Sequence, residues 1–281
     1  MVINGRTDLA SELRQQRCGG RAVTELPGVR ATEEQISGFP VTTVEILDER
    51  GERALGRAPG CYITMELPER ISETFPAAAQ TLAALIRRCA GTLPQRVFLA
   101  ALGNPDITPD AIGSLAAEHL LVTRHLKQRS REDFAAFRST MLCRPGVLGT
   151  SGMESAQQIR ALCRDFQPEL VIAVDALAGA DLSRLCRSVQ ICNTGIAPGS
   201  GVGNSREAVD KAALGLPVLA IGVPTVVDAA AISRDPGLQG MFVTPRAIDS
   251  LVRAAARLVA YGINLALHEG LTLEDMELLL S

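Results

Sequence analysis

The segment from Pro168 to Ala229 constrains the fold of this chain more than any other part of its sequence. It holds two short apolar runs, Leu170 to Val174 and Val218 to Val223, separated by a glycine-rich loop from Thr194 to Asn204. Continuous apolar runs of this length are typical of buried parallel strands in α/β proteins. An acid, Asp175, directly follows the first run. Because ligands bind at the carboxyl ends of such strands, we expect the functional site here.

Predicted strands and helices alternate along the rest of the chain, which favours an α/β fold with a mostly parallel sheet and helices on both faces. The first forty residues are polar and interrupted by glycine and proline, and they predict an extended arm. We therefore divide the chain into an arm, residues 1–40, and a single α/β domain, residues 41–281. The further predicted strands are Val41 to Leu47, Cys61 to Glu66 and Arg96 to Leu102; the predicted helices are Pro76 to Cys89, Ile112 to Leu126, Ser155 to Phe166, Val209 to Leu214 and Pro245 to His268.

The composition narrows the class of protein. The chain has 281 residues, is 47% hydrophobic and carries a net charge of −3, so it can bury a substantial core. No basic stripe marks a nucleic-acid surface, and we expect no direct binding to nucleic acid. We find no signal peptide and no apolar stretch long enough to span a membrane, which predicts a soluble, cytoplasmic protein.

Seven scattered cysteines include no C-x-x-C pair, so they favour free thiols over a zinc site. His119, His125 and His268 all fall in predicted helices, and no G-x-S-x-G or H-E-x-x-H motif is present. We therefore expect neither a metal nor a cofactor. A serine or cysteine nucleophile paired with a histidine stays open, because such arrangements are recognised by geometry.

Two aspartates are the best candidates for catalysis. Asp110 follows the predicted strand that ends at Leu102, and Asp175 follows the run that ends at Val174. If these strands are neighbours, the two carboxyl groups converge; they then share a proton, and one activates water while the other donates to a carbonyl oxygen. The alternative is that Asp110, in Thr-Pro-Asp-Ala, only caps the following helix.

Other polar and glycine residues near these strand ends are candidates for a substrate groove. The glycine-rich loop lacks both the dinucleotide fingerprint and the Gly-Lys-Ser/Thr of a P-loop. Its backbone amides are therefore predicted to line a groove or to polarise a carbonyl group, unless the glycines serve only a tight turn. Asp228 has a helix cap as its alternative role. The groove candidates are Asn104, Thr194, Gly199, Gly201, Asn204 and Asp228.

Several segments, in collinear order, resemble the spore germination proteases, endopeptidases that degrade small acid-soluble spore proteins. The segment between Pro168 and Ala229 closely resembles the family. The other matching segments are Gly5 to Leu13, Val41 to Glu69, Ala101 to Leu126, Arg144 to Ser155 and Met241 to His268. The resemblance implies a hydrogenase-maturation-protease-like (phosphorylase/hydrolase-like) fold. Asp110 and Asp175 stand at the positions that match the proposed catalytic acids of the family.

The resemblance also implies a zymogen that removes its own amino terminus. Thr7-Asp8-Leu9-Ala10 is similar to the family's processing site, so cleavage between Asp8 and Leu9 would release residues 1–8. The alternative is that Asp8 caps a helix from Leu9 to Arg17. A homotetramer in the forespore or spore core, with small acid-soluble spore proteins as its substrates, is implied in the same way.

The chain departs from the family near the glycine-rich loop. The family usually has Asp-Thr-Gly-Ile-His-Pro-Gly-Ser-Gly, whereas this chain has Asn193 and Ala197 in place of the acid and the histidine. The segment between Ser233 and Met241 is also shorter than in typical members. A catalytically altered or non-proteolytic protein on the same scaffold, or a metal-dependent protease, therefore stays open as an alternative.

Overall fold

The centre of the molecule is one mixed β-sheet of nine strands in the part of the chain that the structure describes. This computed structural model describes residues 6–19, 26–130, 132–203, 206–233, 236–238 and 240–280. The strand order is β1-β2-β3-β7-β8-β6-β4-β5, and β9 pairs with the end of β8. The strands are β1 (Val29–Ile36), β2 (Phe39–Ile46), β3 (Gly60–Glu66), β4 (Arg96–Ala101), β5 (Ser139–Cys143), β6 (Leu170–Gly179), β7 (Ser188–Cys192), β8 (Val218–Asp228) and β9 (Phe242–Val243).

The sheet is mixed, so the prediction of a mostly parallel sheet was wrong. The pairs β4–β5, β4–β6 and β6–β8 are parallel, as expected for strands joined by helical crossovers. The run from β1 through β2 and β3 to β7 and β8 is antiparallel. An apolar run indicates a buried strand but carries no information on the direction of its neighbour. The similarity to the hydrogenase-maturation-protease fold stays a prediction.

The described part of the first forty residues, 6–19 and 26–40, does not form the expected extended arm. Helix α1 occupies Ala10–Arg17, and β1 pairs with β2 along its whole length. Ser37 and Gly38 connect the two strands with positive φ angles of 51° and 86°, the geometry of a two-residue hairpin turn. The exposed charges of β1 hid this edge strand from sequence analysis. How the chain divides into domains remains a prediction.

Helices cover both faces of the sheet, as predicted. On one face the main core packs β-strand side chains against the long helices α3 and α9; on the other face smaller apolar clusters involve α1, α2 and α7. The helices after α1 are α2 (Glu49–Leu55), α3 (Ile71–Ala90), α4 (Ile112–Ala116), α5 (Arg124–Arg129), α6 (Leu148–Ser151), α7 (Ser155–Phe166), α8 (Lys211–Leu214), α9 (Ile248–Leu267) and α10 (Leu273–Leu280).

A single helix from Ile112 to Leu126 was predicted, but the chain breaks there into α4, a short 3-10 turn and α5. The buried side chain of Asn264 on α9 explains the break. Its Oδ1 accepts a hydrogen bond from the backbone N–H of Leu121 at 3.0 Å, and its Nδ2 donates to the carbonyl of His119 at 2.8 Å. The Leu121 N–H and the His119 carbonyl therefore bond to Asn264 and not to the backbone of a continuous helix.

We expected no apolar stretch of membrane-spanning length, and helix α9 shows that this expectation was wrong. Its 20 residues are long and apolar enough to cross a bilayer by length and composition alone. Most of the helix is buried against α3 in the main core, and Gly262 lies so close to Leu82 that a Cβ would stand 2.7 Å from its Cδ2. Such packing is that of the core helix of a soluble protein.

Candidate active site

Asp175 lies in the middle of β6 and not at its end, because the strand continues to Gly179. On the same face of β6, Val171 and Ala173 belong to an apolar cluster with α7. Asp175 is 3% exposed, and its Oδ1 accepts a hydrogen bond from the backbone N–H of Ala176 at 2.9 Å. The sequence therefore places a carboxyl group inside a buried strand, where an apolar side chain would ordinarily stand.

Asp110 ends a 3-10 turn, Thr108–Asp110, in the connection between β4 and α4. Its Oδ2 accepts a hydrogen bond from the backbone N–H of Asn104 at 2.7 Å. Its carboxylate thus closes the loop and does not cap α4, whose N-cap position is Ala111 without a side-chain hydrogen bond. Gly103 makes this closure possible: its φ is +96°, and a Cβ there would lie 1.9 Å from the backbone carbonyl oxygen of Asp110.

The two carboxyl groups influence each other electrostatically. Burial raises the pKa of Asp175 well above its usual value, and the negative charges of Asp110 and of Asp8 raise it further. Burial also raises the pKa of Asp110, against the opposing effect of the hydrogen bond from Asn104. Two close acids in a poorly solvated place ionise one at a time. The stronger burial of Asp175 therefore favours the shared proton on Asp175 over Asp110.

Both aspartates line one cleft of about 680 Å³ at this edge of the sheet. The loop between β4 and α4 forms one wall, and the glycine-rich loop after β7 forms another. Asn104, Gly199 and Gly201 line this cleft, as expected for groove residues. Their role in binding substrate stays a prediction.

The other predicted groove residues lie elsewhere or outside the described chain. Thr194 lines an adjoining pocket of about 190 Å³, where its hydroxyl contacts the Tyr62 hydroxyl at 3.0 Å. Asp228 ends β8, and its Oδ1 accepts a hydrogen bond from the backbone N–H of Ala230 at 2.9 Å, which is a capping contact. Asn204 lies outside the described residues. A part in catalysis or binding for each of them remains a prediction.

The amino-terminal segment reaches the same cleft. Asp8 and Leu9 are buried, and Asp8 lines both the cleft and the adjoining pocket. The side chain of Asp8 is bound by Arg57 and Ser200, each at 2.9 Å. Sequence analysis missed both of these residues, because no motif connects positions 49 and 192 residues away from Asp8.

The two positions that depart from the family pattern have different surroundings. Asn193 accepts a hydrogen bond at Oδ1 from the backbone N–H of Cys61 at 2.9 Å, so its side chain attaches the end of β7 to β3. Ala197 lines the cleft itself. A histidine at position 197 would therefore stand in the wall of the cleft, whereas the acid or amide at position 193 connects β7 to β3.

The cysteines and other candidate metal ligands form no metal site in the part of the chain that the structure describes. All seven cysteines are free thiols, as predicted, and five of them are buried. Among the described residues, no group of three or more histidine, cysteine or acidic side chains is arranged to hold a metal ion.

Comparison with known proteins identifies the family. The family described as germination protease matches residues 6–238. A germination protease of Caldanaerobacter subterraneus subsp. tengcongensis is 39% identical over 325 aligned positions, covering 100% of this chain and 99% of the relative. One of Clostridium perfringens is 35% identical, covering 98% of each chain, and one of Oceanobacillus iheyensis is 38% identical, covering 82% of this chain and 66% of the relative. The chain therefore belongs to the germination protease family and is a protease, a hydrolase of protein substrates.

Proposed function

We propose that this protease is an endopeptidase that degrades small acid-soluble spore proteins during germination, with Asp110 and Asp175 as an aspartic catalytic pair. The observation that carries the proposal is the meeting of these two acids in one cleft, each with a raised pKa. Because the family and its relatives are germination proteases, a spore protein is the expected substrate.

In the proposed mechanism the two acids have different roles, which their different surroundings support. Asp175 is the more deeply buried and holds its proton more strongly, so it donates to the oxygen of the scissile carbonyl. Asp110 is partly accessible and oriented by the Asn104 N–H, so in its ionised form it removes a proton from the attacking water. The tetrahedral intermediate then collapses: Asp110 gives the proton it took from water to the leaving amine, and Asp175 takes a proton back from a hydroxyl of the intermediate as the C=O bond re-forms and the C–N bond breaks.

Self-processing between Asp8 and Leu9 is part of the proposal. The segment is docked with its backbone against β6: the N–H of Asp8 donates to the carbonyl of Ala178 at 2.9 Å. Leu9 is fully buried, so a second molecule cannot reach this peptide bond without local unfolding. We therefore expect cleavage within one chain, with release of residues 1–8. Residues 1–5 of that segment lie outside the described residues.

The remaining expectations from the family are a homotetramer and a location in the spore core. Size-exclusion chromatography with light scattering tests the first, and fractionation of spores with an antibody tests the second.

The deciding experiment is cleavage of a purified small acid-soluble spore protein, followed by mass spectrometry. Asp110→Asn and Asp175→Asn are compared with the wild type and with Asp106→Asn, a matched change at an exposed acid in the same loop. We expect specific cleavage by the wild type and by Asp106→Asn, a loss of at least about a thousandfold in each catalytic variant, and no effect of EDTA.

Three outcomes would contradict the proposal. Cleavage that survives both substitutions would exclude the aspartic pair, and cleavage abolished by EDTA would favour a metal-dependent protease. A wild type that cuts nothing would favour a catalytically altered member, for which Ala197 in the cleft is the relevant difference from the family pattern.

A further inference from the structure

Two cysteines, Cys61 and Cys89, lie in contact between β3 and the end of α3. The Sγ of Cys89 donates to the backbone carbonyl oxygen of Cys61 at 3.8 Å, and the Cys89 thiol also hydrogen-bonds to the sulfur of Cys61. The two residues are 28 positions apart in the chain, so the fold and not the local sequence makes this contact. Cys89 is buried, whereas Cys61 is half-buried, so small solutes can reach the Cys61 sulfur.

The surroundings of the two thiols give them different reactivity. The hydrogen bond from Cys89 lowers the pKa of Cys61, and the positive charge of Arg88 lowers it too, against the effects of burial and of Glu45. The same hydrogen bond, together with burial, raises the pKa of Cys89. Because the thiolate is the nucleophile, Cys61 is the thiol that reacts first, beside a neighbour that keeps its proton.

Two other cysteines show what is particular to this pair. Cys143, on β5, is also half-buried, but burial alone raises its pKa. Cys192 belongs to the apolar cluster on the opposite face of the sheet, where its Sγ donates to the carbonyl of Gly195 at 3.3 Å. Cys61 and Cys89 both pack in the main core on the other face. Cys61 thus combines access from solvent with a second thiol in contact.

We propose that Cys61 and Cys89 form a redox modification site, at which a peroxide converts the two thiols into an intramolecular disulfide. The Cys61 thiol loses its proton and its sulfur attacks a peroxide oxygen: the S–O bond forms, the O–O bond breaks, and the released hydroxide takes up a proton, which leaves a sulfenic acid and water. The Cys89 sulfur then attacks the Cys61 sulfur: the S–S bond forms, the S–O bond breaks, and the departing hydroxide takes the Cys89 proton. One hydrogen peroxide is reduced to two waters as the two thiols are oxidised.

The backbone of Cys61 connects the pair to the candidate active site. Its N–H donates to Oδ1 of Asn193 at 2.9 Å, and its carbonyl accepts from the Asn193 N–H at 3.3 Å. At the preceding residue, a Cβ on Gly60 would lie 2.3 Å from Cγ2 of Thr194, the first residue of the glycine-rich loop.

An S–S bond of about 2 Å is shorter than any contact between two thiols, so Cys61 or the end of α3 must shift when the bond forms. Because Cys61 is bonded to Asn193, we expect the shift to reach the glycine-rich loop, which lines the cleft, and to lower kcat/KM. This consequence rests on the proposed function, whereas the disulfide itself does not.

The test treats the reduced full-length protein with hydrogen peroxide, alkylates the remaining thiols and maps the cysteines by mass spectrometry. The wild type should lose two of its seven free thiols, yield one peptide pair linked through Cys61 and Cys89, and regain both thiols with dithiothreitol. Cys143→Ser is the matched control, because it removes a half-buried thiol several strands away, and it should form the same link.

Two variants separate the roles of the thiols. In Cys89→Ser the sulfenic acid of Cys61 has no thiol to attack it, so it should persist and be trapped by dimedone. In Cys61→Ser neither a disulfide nor a dimedone adduct of Cys89 should form. Circular dichroism checks that each variant is folded. If one is not, dimedone added to the wild type together with the peroxide should still label Cys61 and not Cys89.

The outcomes that would overturn the site are equally specific. A wild type that keeps all seven thiols under peroxide, links Cys89 to Cys192, or links two chains through Cys61 would exclude the proposed disulfide. A dimedone adduct on Cys89 in place of Cys61 would exclude the proposed order of reaction.

The effect on cleavage is measured with a small acid-soluble spore protein as substrate. We expect kcat/KM to fall by about tenfold in the peroxide-treated wild type, to recover with dithiothreitol, and to stay unchanged in treated Cys61→Ser. A disulfide that forms without this fall contradicts the connection to the glycine-rich loop alone. A reduced wild type that cuts no spore protein contradicts the proposed function and leaves the disulfide untouched.

Discussion

Asp110 raises the pKa of Asp175, and it does so from a different structural element across the same cleft. Asp175 is held within a strand, whereas Asp110 lies in a loop whose shape depends on its own hydrogen bond to Asn104. The fold thereby keeps one acid rigid and desolvated and lets the other contact solvent. In the proposed mechanism, this difference in solvation separates the proton donor from the proton acceptor.

Replacing Asp175 with asparagine should stabilise the protein as the pH rises. Because the folded-state pKa of Asp175 is raised above its unfolded value, its favourable contribution is present below the unfolded pKa and is lost as the pH rises through the folded pKa. Asp175→Asn avoids this loss, so we expect its free energy of unfolding to exceed that of the wild type by about 1–3 kcal/mol near neutral pH. Urea unfolding at pH 4 and pH 7 measures this, with Asp106→Asn as the control. A gain that is larger at pH 4 than at pH 7 would contradict the assignment.

His268 should make the protein sensitive to acid. It is 1% exposed, neither ring nitrogen has a hydrogen-bond partner among the described residues, and its ring lies 5.0 Å from that of Phe137 at a tilt of 44°. Burial, with the nearby charges of Arg138 and Lys127, lowers its pKa to about 4. The folded state therefore needs neutral His268, and its contribution is present above the unfolded pKa of about 6.5 and lost as the pH falls towards 4.

The expected loss between pH 6.5 and pH 4 is about 3 kcal/mol in the free energy of unfolding. His268→Phe should remove that part of the pH dependence, while His125→Phe, a change at an exposed histidine, should leave it in place. The free energy of unfolding is measured at several pH values for the wild type and for His268→Phe. The same pH dependence in both proteins would show that His268 stays unprotonated or is partnered in solution.

Sequence analysis predicted the elements that local pattern determines and missed those that distant contacts determine. Helix α7 has the predicted bounds, Ser155–Phe166, because its apolar spacing and its ends are local properties. The break before α5 depends on Asn264, more than 140 residues away, and was not predicted. The convergence of Asp110 and Asp175 followed from the parallel pairing of β4 with β6. The contact of Arg57 with Asp8 joins an irregular loop to the amino terminus, for which no sequence pattern exists.

Restoring the family pattern at the two divergent positions should have unequal effects. Asn193→Asp keeps the oxygen that accepts from the Cys61 N–H, so we expect its free energy of unfolding to change by less than about 1 kcal/mol. Ala197→His introduces an imidazole beside the cleft, and its titration should add a limb between about pH 5 and pH 8 to the profile of kcat/KM. The pH profiles of both variants against the wild type test this. A new limb in Asn193→Asp but not in Ala197→His would reverse the assignment.

Gly201→Ala should loosen the amino-terminal segment before processing. The added Cβ would stand 2.1 Å from Oδ2 of Asp8, so either the carboxylate or the glycine-rich loop must move, and the contacts of Asp8 with Arg57 and Ser200 are strained. We expect a loss of about 1–3 kcal/mol in the unprocessed chain, as for overpacking in a core, and faster hydrogen exchange in residues 6–12. Gly149→Ala is the matched control, because a Cβ there meets nothing within 4 Å. Because the 2.1 Å contact is with Asp8, removal of residues 1–8 should recover part of the loss in Gly201→Ala, while the part due to the Cβ of Ala178 should remain. An equal loss before and after processing would instead place the clash in the scaffold, where a Cβ at Gly201 also meets Ala178 at 2.5 Å.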